Sequence, residues 1–140
     1  TSTNGGAQED RARIGPEFVR RGARSVTSFD VARVVARAAD VERRVRRGPL
    51  RRLAEDARDL LALLRDWRAG RYRAVPFGTI AAAAFALLYV LNPFDLVPDA
   101  LPLLGQLDDV AVLSAALLLI ERDLEKYRAA LRGDASPADA

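Results

Sequence analysis

The stretch AVPFGTIAAAAFALLYVLNPF, residues 74–94, decides the fold because it carries no charged side chain over 21 positions. Pro76 suits the first turn of a helix, and Asn92-Pro93 must end it. The 16 residues from Pro76 to Leu91 give a helix about 24 Å long, whereas a bilayer core is roughly 30 Å thick. The pattern predicts a hydrophobic helix that is slightly short for a standard transmembrane helix.

A second apolar segment, Val110 to Ile120, follows after a connection that is rich in proline and aspartate. Two hydrophobic helices joined by such a turn predict a helical hairpin. Small residues spaced four apart allow another helix to approach closely. On the first hydrophobic helix that face carries Gly78, Ala82 and Ala86.

Two heptad-like patterns predict further helices on either side of the hairpin. The first comprises Leu50, Leu53, Ala57, Leu60, Leu64 and Trp67, and the second Val110, Leu113, Leu117, Ile120, Leu124, Tyr127 and Leu131. These two faces predict pairing within one chain, with dimerisation as the alternative. An earlier helix begins near Thr27, where Thr27 and Asp30 have capping-box spacing. The fold class is therefore all-α, a hairpin or bundle of about four helices with a Pro/Asp-rich turn.

The domain organisation follows from where apolar periodicity begins and ends. Residues 1–25 combine glycines with scattered charges and predict a disordered N-terminal arm without a signal peptide. Residues 26–132 form the helical domain, and residues 133–140 are expected to be a disordered tail.

The acidic turn between the hydrophobic helices is the most distinctive candidate site. Its aspartates are Asp95, Asp99, Asp108 and Asp109, and its turn residues are Pro93, Pro98, Pro102 and Gly105. Aspartates beside prolines and before a helix are typical of turns and N-caps. Ion pairs to Arg71, Arg73 or Arg122 are a second possibility. Oxygen ligands alone would suit Mg²⁺, Ca²⁺ or Mn²⁺, which is a third possibility. We expect no cofactor, with Mg²⁺ or Ca²⁺ at the aspartates as the alternative.

The amino-acid composition excludes most kinds of catalytic site. The chain has no cysteine, histidine or methionine, which excludes thiol nucleophiles, disulfides, histidine bases and sulfur or imidazole metal ligands. Ser114 has no histidine partner, and no glycine-rich phosphate loop is present. The sequence favours a non-enzymatic protein over an enzyme, and no catalytic residue is predicted.

Charge is distributed unevenly around the uncharged stretch. Residues 11–73 contain 18 arginines and 8 acidic residues, whereas residues 93–140 contain 4 basic and 9 acidic residues. Clustered arginines attract anionic lipid headgroups or phosphates, although a solvated helix end has the same composition. The densest basic patch consists of Arg43, Arg44, Arg46, Arg47, Arg51 and Arg52.

The stretches LLYVLNPFDLVPD, residues 87–99, and LPLLGQLDD, residues 101–109, resemble the YkvA-type family known as DUF1232. That family's pattern is a tyrosine, then Pro-x-Asp-Leu-x-Pro-Asp, an apolar turn and Asp-Asp. The flanks DWRAGRYR, residues 66–73, and DLEKY, residues 123–127, are also similar. The resemblance covers about residues 50–131, with a core motif at 87–120. It implies an α-helical, membrane-associated bacterial protein of unestablished activity.

We therefore expect a membrane-associated helical scaffold or adaptor at the cytoplasmic side of a bacterial inner membrane. Its expected partners are membrane lipid and another helical protein or a second copy of itself. One alternative is a soluble, dimeric helical bundle that binds other proteins. A divalent-metal enzyme built on the aspartates is a less favoured alternative. Nucleic acid is an unlikely partner because no recognised binding module is present.

Overall fold

The computed structural model describes residues 15–91 and 109–133. This part of the chain contains seven α-helices, one 3-10 helix and no strand, which confirms the predicted all-α class. The helices are α1 (Pro16–Ala23), α2 (Ser28–Ala36), α3 (Ala38–Val45), the 3-10 helix (Gly48–Leu53), α4 (Ala54–Arg68), α5 (Phe77–Leu91), α6 (Asp109–Leu119) and α7 (Glu121–Arg132).

The structure has more helices than the four predicted because three predicted helices are interrupted and because α1 was not predicted. Arg37, Leu53 and Ile120 have φ between −107° and −106° and ψ between 13° and 26°. These values lie towards the sparsely populated bridge region and interrupt regular α-helix. The expected capping box is present, because Asp30 N donates to Thr27 Oγ1 and Thr27 N donates to Asp30 Oδ2.

Helix α5 is the centre of the bundle. Every residue from Thr79 to Val90 is buried, and α5 contacts α1, α2, α3, α4 and α6. A helix that is apolar on all faces must be covered on all faces, either by protein or by lipid. In this structure, protein covers it, which accounts for the uncharged sequence.

Within residues 15–91 and 109–133, no helix has the length and apolar character needed to cross a membrane. This finding includes α5, the hydrophobic helix predicted from the uncharged stretch.

Helix α1 corrects the prediction of a disordered arm over residues 1–25. Phe18 and Val19 are buried, and the Phe18 ring lies 5.7 Å from Phe85 and 6.1 Å from Tyr89 between ring centroids. The helix is only 8 residues long, too short for a clear apolar period, and its charged side chains obscured the two buried positions. Residues 1–14 of the predicted arm, and 134–140 of the predicted tail, lie outside the described residues.

The two heptad-like faces pair within the chain, as predicted. Helix α6 packs on the 3-10 helix, and α7 packs on α4. Leu60, Leu64 and Leu124 are buried, whereas Leu131, the last residue of the second face, is 58% exposed. The intramolecular pairing holds α7 against α4.

Candidate functional site

Most of the acidic turn lies outside the described residues. This applies to Asp95, Asp99 and Asp108 and to the turn residues Pro93, Pro98, Pro102 and Gly105. Asp109 is described and is the first residue of α6. Among the residues described, no group of three acidic side chains is placed to hold a metal ion. The Mg²⁺ or Ca²⁺ site stays a prediction.

Arg44 links the two helix ends from which the acidic turn extends. Its Nε donates a 3.1 Å hydrogen bond to the carbonyl oxygen of Val90, near the C-terminus of α5. Its Nη2 lies 3.9 Å from Asp109 Oδ2 at the start of α6. A guanidinium suits carbonyl groups at a helix C-terminus. Arg44 therefore has a structural role in the bundle, in addition to any role in the predicted basic patch.

The rest of the predicted patch divides into one paired and four unpaired arginines. Arg43 forms an ion pair with Asp40 on the same helix. The other four are exposed and make no ion pair with a described acidic residue: Arg46, Arg47, Arg51 and Arg52. We call these four the junction arginines because they lie where α3 meets the 3-10 helix.

A polar cluster joins α4 and α7 beyond the other end of α5. Tyr127 is buried, and its Oη donates a 2.5 Å hydrogen bond to Asp66 Oδ2. Arg71 Nε donates to Asp66 Oδ1 at 2.8 Å. The first helical turn of α5 is held separately, because Thr79 Oγ1 lies 2.5 Å from Asp123 Oδ2 on α7.

The pKa values of Tyr127 and Asp66, which share a hydrogen bond, both differ from the ordinary values of these side chains. Burial alone would raise the pKa of Asp66, but the hydrogen bonds from Tyr127 and Arg71 outweigh it, so the pKa is lowered. Burial and the bond to Asp66 together raise the pKa of Tyr127. The phenol stays protonated and the carboxylate charged, which suits a stable hydrogen bond and offers no proton to transfer at neutral pH.

Arg128 completes the contact between α4 and α7. It donates hydrogen bonds of 2.7 Å to both Asp56 and Asp59, and one of 3.2 Å to Glu125. Its guanidinium is only 24% exposed, so these carboxylates replace the water that it gives up. We call the residues that join α4 and α7 the α4–α7 clamp: Asp56, Asp59, Asp66, Arg71, Tyr127 and Arg128.

The sequence analysis did not predict this clamp, although it singled out the two stretches that contain three of its residues. Asp66, Arg71 and Tyr127 all lie in the flanking stretches that resemble the family. Of the arginines predicted as partners for the acidic turn, Arg71 pairs with Asp66. Arg73 stacks over Trp67, with its Cζ 4.7 Å from the ring centroid.

The small-residue face of α5 is used differently from the prediction. Ala82 and Ala86 are buried, but Gly78 is exposed, and a Cβ added there would meet open space. The close approach occurs instead at Gly22 on α1, where an added Cβ would overlap the Phe85 ring. Among the described residues, nothing lies close to Gly78, which lines a cavity with residues from α1 and from the end of α6.

Comparison with known proteins concerns the two core helices and the turn between them. Residues 79–115 match the family described as "Protein of unknown function (DUF1232)". We call the matched residues 79–115 the DUF1232 region. This region comprises most of α5, the acidic turn and the first part of α6. The predicted resemblance to the YkvA-type family is thereby confirmed.

A curated relative extends the similarity beyond the DUF1232 region. The "Uncharacterized membrane protein YkvA" of Bacillus subtilis (strain 168) is 40% identical over 65 residues. The aligned part is 46% of this chain and 61% of that protein. No solved structure matches the chain significantly. The junction arginines precede the DUF1232 region in the sequence, and the 3-10 helix that carries two of them packs on α6.

Proposed function

We propose that this chain is a membrane-associated helical scaffold or adaptor protein, located at the cytoplasmic side of a bacterial inner membrane. The observation that carries the proposal is the set of four exposed junction arginines, which have no acidic partner among the described residues. The name of the 40% identical relative, a membrane protein, supports the location.

The junction arginines supply the attraction in this proposal. Anionic lipids make the cytoplasmic leaflet negative, and each arginine near that surface contributes about 1 kcal/mol of binding free energy. The attraction declines over a Debye length, roughly 8 Å at physiological ionic strength. Binding through these side chains is therefore sensitive to salt.

The burial of α5 favours this mode over insertion of the hydrophobic helix. Moving α5 into lipid would first require its separation from the helices that cover it. The bilayer would replace apolar contacts that the bundle already makes, so apolar burial offers little net gain. We assign the membrane contact to charged side chains on the bundle surface.

The test is membrane fractionation of the full untagged chain, followed by separate high-salt and carbonate washes. The test variant carries R46Q, R47Q, R51Q and R52Q. A matched control carries R21Q, R24Q, R122Q and K126Q, which removes four exposed basic charges on other helices. We expect the unaltered chain and the control to sediment with membranes and to be released by salt, and the test variant to stay in the supernatant.

Two results would contradict the proposal in different ways. If the unaltered chain never sediments with membranes, the membrane location is wrong. If it sediments but resists both washes, and the test variant does the same, membrane association stands and the junction arginines do not cause it.

A further inference from the structure

The arginine-rich surface extends beyond the junction arginines because α4 runs antiparallel to α2 and α3. Arg58 on α4 lies 3.7 Å from Glu42 on α3. Further along α4, Arg65 and Arg68 line a groove with residues of α2. Later residues of α4 thus lie next to earlier residues of the α2–α3 pair.

The outward side of α4 carries two arginines and one glutamate. The residues on this side follow helical spacing, are exposed or half-buried, and include one acidic residue: Glu55, Arg58, Ala62, Arg65 and Ala69. Arg65 and Arg68 make no ion pair with a described acidic residue. Along the 3-10 helix and α4, Arg51 and Arg68 are about 25 Å apart. The junction arginines and Arg68 therefore lie towards opposite ends of α4.

The far end of this surface combines arginines with an apolar groove. The groove has a volume of about 420 Å³ and is lined by Ala32, Val35, Ala36, Arg65, Arg68, Ala69 and Arg71. Phe29 lies on the same face of α2, one turn before Ala32, and its side chain is 72% exposed. Burial of this ring in an apolar environment would be favourable, because it would remove apolar area from water.

We propose that the α2–α4 face is a membrane-docking surface, on which Phe29 enters the headgroup region of an anionic bilayer while Arg65 and Arg68 bind lipid phosphates. This inference rests on the proposed function and identifies the surface responsible for it. A protruding aromatic ring beside unpaired arginines matches the amphipathic character of surface-bound membrane proteins.

Charge selects Phe29 over the other exposed apolar side chains. Leu118 is 63% exposed, but the cavity beside it is lined by Asp56, Glu121 and Glu125, which an anionic surface would repel. Arg128 there is already bound to carboxylates of the α4–α7 clamp. The α2–α4 face, by contrast, combines Phe29, the most exposed large apolar side chain among the described residues, with arginines that make no ion pair with a described acidic residue.

The first experiment measures sedimentation of the full chain with vesicles, either zwitterionic or containing one-third anionic phosphatidylglycerol. We expect binding to the anionic vesicles alone. We expect F29S to weaken that binding by roughly three- to tenfold because it removes apolar area, and R65Q/R68Q to weaken it by roughly tenfold. The matched control L118S should bind like the unaltered chain.

The second experiment places a probe at the surface itself. The chain has no cysteine, so F29C and L118C each accept a single environment-sensitive fluorophore. We expect the probe at position 29 to shift to the blue with anionic vesicles and the probe at 118 to stay in water. Both positions are exposed, so neither label should disturb folding.

Failure here is distinguishable from failure of the proposed function. If the chain binds anionic vesicles but F29S and R65Q/R68Q bind equally well, this face is not the docking surface and membrane association stands. If the chain binds no vesicles, and polyglutamate instead shifts the fluorophore at position 29 to the blue, the face binds acidic protein and the lipid assignment is wrong.

Discussion

The two ends of α5 differ in how their surrounding charges are used. Near its N-terminal end, Thr79 bonds to Asp123, and the adjoining α4–α7 clamp satisfies Asp66, Arg71 and Tyr127. At its C-terminal end, Arg44 bonds to the Val90 carbonyl, and the junction arginines beyond it have no acidic partner among the described residues. One end uses its polar groups to hold the bundle together, whereas the other presents them to the surroundings.

The polar groups near one end of α5 therefore serve mainly stability, whereas those near the other end are available for function. Charged groups that bond to each other inside a protein stabilise it and are unavailable to a ligand. Unpaired arginines contribute little to folding, and their repulsion opposes it slightly. Substitutions at the two ends should therefore change different measurements.

Loss of Tyr127 should have the largest effect on stability. Tyr127→Ala removes a side chain that is 1% exposed and should lower the free energy of unfolding by about 3–5 kcal/mol. Tyr127→Phe keeps the ring and removes the bond to Asp66, at a cost of about 1–2 kcal/mol. Chemical denaturation measures both values. Equal losses for the two variants would show that the clamp acts through the hydrogen bond alone.

The close contact between α1 and α5 should give the next largest effect. Gly22→Ala places a methyl group against the Phe85 ring, and overpacking of this kind costs about 1–3 kcal/mol. Gly78→Ala is the control. Its added methyl group meets open space, and alanine in place of glycine stabilises a helix by up to about 1 kcal/mol. Thermal unfolding should therefore move in opposite directions for the two variants. A neutral Gly22→Ala would mean that α1 adjusts its position freely.

The clamp also predicts a dependence of stability on pH. Because the folded pKa of Asp66 is lowered from 3.8, its contribution is complete above that value and is lost as pH falls through the folded pKa. Because the folded pKa of Tyr127 is raised from 10.0, its contribution is complete below pH 10 and declines as pH rises further. Unfolding titrations should show both losses, with Asp66→Asn removing part of the acid loss and Tyr127→Phe part of the alkaline loss.

Substitutions at the C-terminal end of α5 should have the smallest effect on folding. Arg44→Gln removes one hydrogen bond to a backbone carbonyl and should cost about 0.5–1.5 kcal/mol. Each of R51Q and R52Q should change the free energy of unfolding by less than about 0.5 kcal/mol, since exposed sites seldom matter more. If the four-arginine variant unfolded as readily as Tyr127→Ala, the contrast between the two ends of α5 would be wrong.

Much of the fold was predictable because it depends on local pattern. The Thr27 capping box, the uncharged helix and the two paired heptad-like faces all follow from residue spacing within one or two helical turns. The prediction for α1 was wrong because eight residues with two buried side chains provide too little periodicity. The interruptions at Arg37, Leu53 and Ile120 have no glycine or proline at the break itself to indicate them.

The candidate site was predictable only in part. The basic patch was identified from composition, but Arg43 and Arg44 have internal partners that lie on other turns or other helices. The α4–α7 clamp joins residues up to 72 positions apart, and no local pattern pairs them. In the sequence, Phe29 is simply a residue in the first turn of a helix. Its side chain is exposed because α2 packs with its opposite face, which carries Val31 and Val34, towards the core.

The sequence by itself determined that the protein is helical, that residues 74–94 form its most apolar segment, and that it carries a DUF1232 region without histidine or cysteine chemistry. Those properties depend on residue type and short-range spacing. Only the tertiary structure decided that α5 is covered by protein, which arginines are already paired, and that Phe29 shares a face with Arg65 and Arg68. Burial and pairing are properties of groups distant in the chain, so they become defined only when the helices pack.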